Sequence, residues 1–367
     1  MSRSVVIAPD SFKGSLGASD VAAAIARGWR QVRPTDVLTL IPQADGGEGT
    51  LDAIESAAPG AFRHAIGAVT GPDGRPTSGE WLELPGSVGV VELAQASGLP
   101  LMATLDPLRA TTIGLGEVIR DALASGIRSL VIGLGGSAST DAGAGALVAL
   151  GLRLTDVAGN QVELGGAGLA DIAAVDRRGL LAPPPGGVIL LTDVAAPLLG
   201  PTGAAAVFGP QKGASAEDIA LLDAGLANFA ALLAGDPGLP GMGAAGGTGY
   251  GFAAAWGASI ESGAAYVANL SGLTAAIAAA HVVITGEGRF DATSGTGKVV
   301  GEIIALAESY GVAVGVIAGQ VAVATDDTLW TAALVDIAGS VEAAIAHPVP
   351  ALEEAGQAAA RHFGLGR

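Results

Sequence analysis

The chain has 367 residues, half of them apolar and 4% aromatic, with 58 glycines, no cysteine and a formal net charge of −17. Its length exceeds what one hydrophobic core usually organises, so two domains are expected. The acidic balance argues against nucleic acid as a partner, since no basic stripe could neutralise phosphates, and the lack of cysteine excludes disulfides and thiolate metal sites.

In chain order, Ser4–Ala8 reads as a short apolar strand ended by Pro9, too brief for the apolar core of a signal peptide. Ser19 is expected to cap a helix in which Val21, Ala24, Ile25, Gly28, Trp29 and Val32 share one face at i, i+3, i+4 spacing. Val37–Ile41 is a second strand and Thr50–Ala57 a short helix. Val88–Leu93, Ser129–Gly133 and Gly187–Leu191 are strand-like. Ser215 and Asp218 form a capping box that opens a helix through Leu233. His281–Thr285, Val312–Ala318 and Leu334–Ala338 are read as further strands, with a helix from Lys298 to Tyr310 between the first two. Short β-branched runs separated by helices predict an α/β fold with mainly parallel sheet. No apolar run of about 18 residues is present, so no membrane association is expected and the protein is placed in the cytoplasm. The loops Gly71–Pro76, Pro183–Gly187 and Gly235–Gly251 are expected to bracket an inserted domain, with the first sheet resuming near residue 275.

Ligands of open α/β sheets collect at the carboxyl ends of strands. Here those ends carry small polar residues among glycines: Asp10-Ser-Phe-Lys-Gly-Ser15, Ala44-Asp-Gly-Gly-Glu-Gly-Thr50, Thr192-Asp193 and Thr285-Gly-Glu-Gly-Arg-Phe-Asp291. Asp and Gly at one strand end are ordinary turn residues; several such ends on one sheet edge point to a site. Only three of the 18 basic residues are lysines, Lys13, Lys212 and Lys298, and each adjoins a glycine. A compact ammonium suits a point contact to phosphate or carboxylate. The run "GTGKVV" is not a Walker A loop, because Ala292 stands where its first glycine belongs and Val299 where its hydroxyl belongs.

The stretch "IGLGGSASTDAGAG" (132–145) satisfies G-x-G-x-x-[GA] through Gly133, Gly135 and Ala138, with Asp156 downstream. That permits an NAD(P)-dependent oxidoreductase of a small hydroxy acid. However, βα units precede the loop, and its hydroxyls and Asp141 crowd a turn that needs bare backbone. The same letters resemble, locally, the phosphate loop of galactokinase- and mevalonate-kinase-like enzymes. Common to both readings are N–H groups and small hydroxyls facing an anion at a helix start. A non-catalytic organic-acid sensor is a third reading.

Taken together, the blocks "VVIAPDSFKGSL", "PQADGGEGT", "ELAQASGL", "GLGGSASTDAGAG", "TDVAAPLLGPTGAAAVFGPQKGA", "GAAGGTGYG" and "VVITGEGRFDATSGTGK" resemble, in order, the bacterial glycerate kinase family. The resemblance implies transfer of the ATP γ-phosphoryl group to D-glycerate with Mg²⁺, with 2-phosphoglycerate favoured over 3-phosphoglycerate. It implies a monomer or homodimer with two α/β domains. One is flavodoxin-like and made from residues 1–65 plus 275–367; the other is inserted at 66–274, with the active site in the cleft between them. On this resemblance Lys13, Asp45 and Asp193 are the expected catalytic residues. Ser11, Gly135, Gly136, Ser137, Asp141, Lys212, Arg289 and Lys298 are the expected substrate or phosphate contacts. Asp45, Asp193, Glu287 and Asp291 are candidate Mg²⁺ ligands, with Asp193 preferred as acceptor of the substrate hydroxyl proton. Ala196, Ser139-Thr140 and Thr293 depart from the family's usual Asn, Thr-Asn and Gln.

Overall fold

The computed structural model describes residues 2–292, 294, 299–323 and 329–364. Among these, the strands are β1 (Ser4–Ile7), β2 (Val37–Leu40), β3 (Phe62–Thr70), β4 (Pro76–Leu84), β5 (Val88–Glu92), β6 (Ser129–Gly133), β7 (Arg153–Thr155), β8 (Ala174–Asp176), β9 (Val188–Leu191), β10 (Ser259–Glu261), β11 (Val282–Phe290), β12 (Ala313–Val321) and β13 (Trp330–Ala333). The chain divides into two compact units. Met1–Asp45, Asp52–Pro59 and Ala264–Arg367 form the first, and Gly46–Leu51 with Gly60–Gly263 the second.

The first unit holds a sheet in the order β13-β12-β11-β1-β2, with every neighbouring pair parallel. Counted within the unit, the strand order is 2-1-3-4-5, the doubly wound order of flavodoxin-like sheets, and it reverses between β1 and β11. Alternation along the strands explains why both faces are covered. Val5, Ile7, Val282 and Ile284 pack against the helices Ala18–Val32 and Pro348–Gly364. Val6, Ala8 and Val283 point the other way, onto Leu273, Ile277, Val299 and Ile303. The helices from the two chain ends cross almost backbone to backbone, and a Cβ on Gly28 would stand 1.9 Å from the Glu353 carbonyl oxygen. Part of the glycine excess therefore serves packing.

The second unit holds a six-stranded mixed sheet, β10-β9-β6-β5-β4-β3, in which β3–β4 and β4–β5 are antiparallel and the rest parallel, plus the small antiparallel pair β7-β8. One core organises it, from Trp81 and Val91 on the sheet to Leu222, Phe229 and Tyr250 on the helices. The Ser215–Asp218 capping box is present and starts the helix Ala216–Leu233. No described helix is long and apolar enough to cross a membrane.

The structure changes several local expectations. Leu334–Ala338 is a helix, stopped by Gly339 at φ 84°, and the strand is the preceding Trp330–Ala333. A five-residue apolar run fits either period, and here the left-handed glycine decides. Ser19 does not cap its helix, which begins at Ala18 behind Gly17. The Gly71–Pro76 cluster closes the β3–β4 hairpin, with Gly71 N–H donating to Arg75 O at 2.7 Å. Much of Gly235–Gly251 is buried, and Gly246 O accepts from Ala142 N–H at 3.0 Å.

Candidate functional site

In the first unit the site begins where β1 ends, beside β11 at the strand-order reversal. Asp10 N–H donates to Gly286 O at 2.8 Å, which carries the β1 backbone past the sheet edge. Phe12 and Leu16 then exchange backbone hydrogen bonds of 2.8 and 3.0 Å, closing a tight loop. Phe12 is buried as its anchor, and Lys13 is left half exposed at the tip. β11 continues to Phe290 and brings Glu287 and Arg289 to the same edge, with Asp291 just beyond. Asp45 arrives from the loop after β2, its Oδ2 3.6 Å from Lys13 Nζ.

These groups line one hollow of about 450 Å³, whose polar walls are Asp10, Ser11, Lys13, Asp45, Glu287, Arg289 and Asp291. Four carboxyl groups thus face two bases. Asp10 records the imbalance: burial, then the neighbouring Asp45 and Glu287, raise its pKa to about 7 against the pull of Lys13 and the Ser11 N–H. Arg289 is engaged with Asp291 at 3.3 Å. Among the described residues the buried Ser11 hydroxyl has no hydrogen-bond partner, an arrangement that costs about 1–3 kcal/mol until a guest supplies one. Among the described residues no three acidic or histidine side chains form a ready-made metal cage. The donor set fits Mg²⁺ all the same, since that ion usually binds one or two carboxylates and takes its other ligands from water and phosphate.

The second unit carries the remaining expected residues. β6 ends at Gly133 and the chain continues as a loop. Gly135 N–H donates to Gly46 O and Ala138 N–H to Ser97 O, at 2.9 and 3.0 Å. Among the described residues no acceptor reaches the amides of Gly136 or Ser137. Gly136 has φ 74°, and a Cβ there would stand 2.6 Å from Glu48 Oε1, so the position requires glycine. The next helix starts only at Ala144. The loop is therefore not at a helix start, and a dinucleotide fingerprint lacks the helix on which its pyrophosphate would sit.

Two residues expected to touch a ligand brace this loop instead. Asp141 is fully buried, and its oxygens accept from Thr112 N–H and Oγ1, Ser139 Oγ, and the Gly143 and Gly145 amides, at 2.8–3.2 Å. An anion so occupied holds the loop, and as an acceptor it has no donor to offer a phosphate. Lys212, 2% exposed, donates from Nζ to Ser137 Oγ at 2.9 Å and to the Ser139 carbonyl. Burial lowers its pKa to about 7, with Asp141 pulling upward. Asp193 follows β9, half buried. Ala196, one of the departures, offers its carbonyl to Gly243 N–H at 2.9 Å. Lys298 and Thr293 lie outside the described residues. Asp10 is the residue that sequence reasoning passed over: it stands in the quoted strand end, but only its burial distinguishes it.

Comparison with known proteins follows the same lines. Residues 5–364 match the glycerate kinase family. The glycerate 2-kinase of Escherichia coli (strain K12) is 43% identical over 332 residues, 88% of this chain and 86% of that one. The glycerate kinase of Bacillus subtilis (strain 168) is 40% identical over 326 residues, 86% and 85% of the two chains. The crystal structure of a Salmonella typhimurium LT2 protein provisionally assigned as glycerate kinase 2 superposes with a TM-score of 0.81 at 37% identity, covering 99% of both chains.

Proposed function

The chain belongs to the glycerate kinase family, and from that premise we propose that it transfers the γ-phosphoryl group of ATP to carbon 2 of D-glycerate, with Mg²⁺, in the cytoplasm. One observation carries the reading beyond the family: the acid-rich hollow at the strand reversal, with a lysine at its mouth and an unpartnered serine hydroxyl in its wall. Phosphoryl transfer demands positioning and charge neutralisation more than covalent chemistry.

Lys13 offers a mobile ammonium to the glycerate carboxylate or the γ-phosphate, and Ser11 donates its hydroxyl to a substrate oxygen. Arg289 adds positive charge at the same edge. One or two carboxylates among Asp45, Glu287 and Asp291 would hold Mg²⁺, the others and Asp10 adding negative charge beside it. When bound, the ion neutralises charge on the phosphates and orients them. Asp193 accepts the proton of the reacting hydroxyl. The amides of Gly136 and Ser137, in the loop turned by Gly135, give an anion two donors, and Lys212 with Asp141 keeps that loop rigid. Lys298 supplies a further cation. The name of the Escherichia coli relative supports carbon 2 as the acceptor position.

The test is turnover of D-glycerate and ATP with phosphorus NMR of the product. A phosphate on carbon 2 couples to one proton and gives a doublet, and one on carbon 3 couples to two and gives a triplet. A triplet overturns the regiochemistry. Absence of turnover, with a nicotinamide absorbance change in its place, overturns the whole reading.

A further inference from the structure

The first unit contains a second hollow, about 210 Å³ in volume, next to the acid-rich one. Val299 lines both, so the two are neighbours along the same carboxyl edge of the sheet. The walls include Ala264, Ala268, Leu273 and Ile303, which are small or aliphatic. Pockets that enclose a whole drug-sized molecule hold about 300–1,000 Å³. This one is smaller and suits a planar ring that forms one part of a larger ligand.

Its polar lining comprises the exposed Asn269, Thr274 and Glu302 and one buried group, Gln43, which follows β2 and is 1% exposed. The two hydrogens of the side-chain Nε2 are shared among three acceptors, Ile41 O and Pro42 O at 3.1 Å each and Ser271 Oγ at 3.2 Å. Carbonyl oxygens only accept, so the amide has one possible orientation, with its nitrogen toward them. Among the described residues no donor reaches Oε1. A buried acceptor beside apolar walls selects a ring that carries an exocyclic N–H donor. Adenine presents such a donor at N6, where guanine presents an acceptor, O6.

We propose that this hollow seats the adenine ring of ATP, with Gln43 Oε1 accepting from N6 and the phosphate chain running past Val299 into the acid-rich hollow. The inference rests on the ATP reading above and assigns the base to a place. It explains why a buried glutamine is held by three of its own neighbours: the protein spends the donors internally and presents the acceptor.

The unmodified protein gives the first test. With GTP in place of ATP, two acceptors would face each other, and kcat/KM is expected to fall at least tenfold, about 1.4 kcal/mol. Equal use of GTP and ATP would overturn the assignment. The second test fills the hollow with Ala268→Phe, with folding checked by thermal melting. The KM for ATP is expected to rise at least tenfold, while inhibition by inorganic tripolyphosphate, which has no base, keeps its constant. An unchanged KM for ATP in the folded variant would overturn the proposal. Adenosine binding, read by calorimetry, separates the two layers of inference. Binding to the unmodified protein that is lost in Ala268→Phe supports the pocket even if no phosphoryl transfer is seen, in which case only the kinase reading falls. Active phosphoryl transfer with adenosine binding undiminished in the variant removes the pocket and leaves the kinase reading intact.

Discussion

Lys212 offers a test in which the sign of a pH effect reveals where a charge sits. Its ammonium is enclosed by the protein, and burial lowers its pKa from 10.5 to about 7. At about 1.4 kcal/mol per pH unit, keeping the charged form inside costs roughly 5 kcal/mol relative to the unfolded chain. The folded-state pKa lies below the unfolded one, so between pH 7 and 10.5 the unfolded chain binds more protons and stability rises with pH. Below pH 7 both states are protonated, the full cost is present and this contribution is flat. From pH 7 to pH 9 the gain works out at about 2 kcal/mol. Lys212→Met keeps the length of the side chain and removes the titration. It also strips Ser137 Oγ and the Ser139 carbonyl of a donor, a penalty of about 1–3 kcal/mol that does not depend on pH. Urea unfolding of both proteins at pH 7, 8 and 9, followed by tryptophan fluorescence and circular dichroism, gives the difference between them. That difference should move by about 2 kcal/mol in favour of the unmodified protein as pH rises. Parallel curves would refute the reasoning, because they would mean that the amine does not change its charge in that range.

Three further outcomes are expected. Asp10→Asn keeps an oxygen for the Ser11 N–H, now at 2.6 Å from Oδ1, but removes one of the four carboxyls; the Mg²⁺ concentration for half-maximal turnover should rise at least tenfold, about 1.4 kcal/mol, and an unchanged requirement would place the ion elsewhere. Lys13→Ala should lower kcat/KM for D-glycerate and ATP by more than about tenfold with no change in melting temperature. The reason for the second part is that a half-exposed pair 3.6 Å from Asp45 contributes about 0–1 kcal/mol to stability. Gly28→Ala places a methyl 1.9 Å from the Glu353 carbonyl oxygen, and should cost about 1–3 kcal/mol or more as the two helices part, measured by chemical unfolding; a neutral substitution would mean that the helices cross with slack.

How far the sequence could be read depended on the reach of the interaction that decides each feature. The Ser215–Asp218 capping box is complete within four residues, and it formed as expected. β1 and β11 are β-branched runs buried on both faces, a pattern visible without knowledge of their neighbours. β3 was not visible: "FRHAIGAVT" mixes exposed and half-buried residues, and a register shift between Ala65 and Gly67 breaks its alternation. Only pairing with β4 makes it a strand. The same rule governs the site. Glycines among small polar residues at strand ends are legible in the sequence, because close approach of backbone is a local demand. Which acid among them is perturbed was not local. Asp10 and Asp45 carry the same carboxyl, and Asp10 is singled out by burial and by Asp45 and Glu287, which lie far along the chain.

Lys212 follows the same rule: the sequence singles out the residue, and distant partners set its direction. By sequence, a lysine beside glycine points to a cation offered to a ligand. What turns it inward is a carbonyl at Ser139 and a hydroxyl at Ser137, more than seventy residues earlier in the chain. Asp141, two residues after that carbonyl, is saturated by Thr112 and by the amides of its own loop. A buried acid and a buried amine thus brace one stretch from below, and neither has an ordinary reason to be there unless the stretch must hold its shape. Rigid backbone with the amides of Gly136 and Ser137 left over is what preorganised anion binding requires, since donors fixed before the ligand arrives cost no reordering when it does. The two charges that seemed to be contacts are better understood as the reason the contacts can be made by uncharged N–H groups.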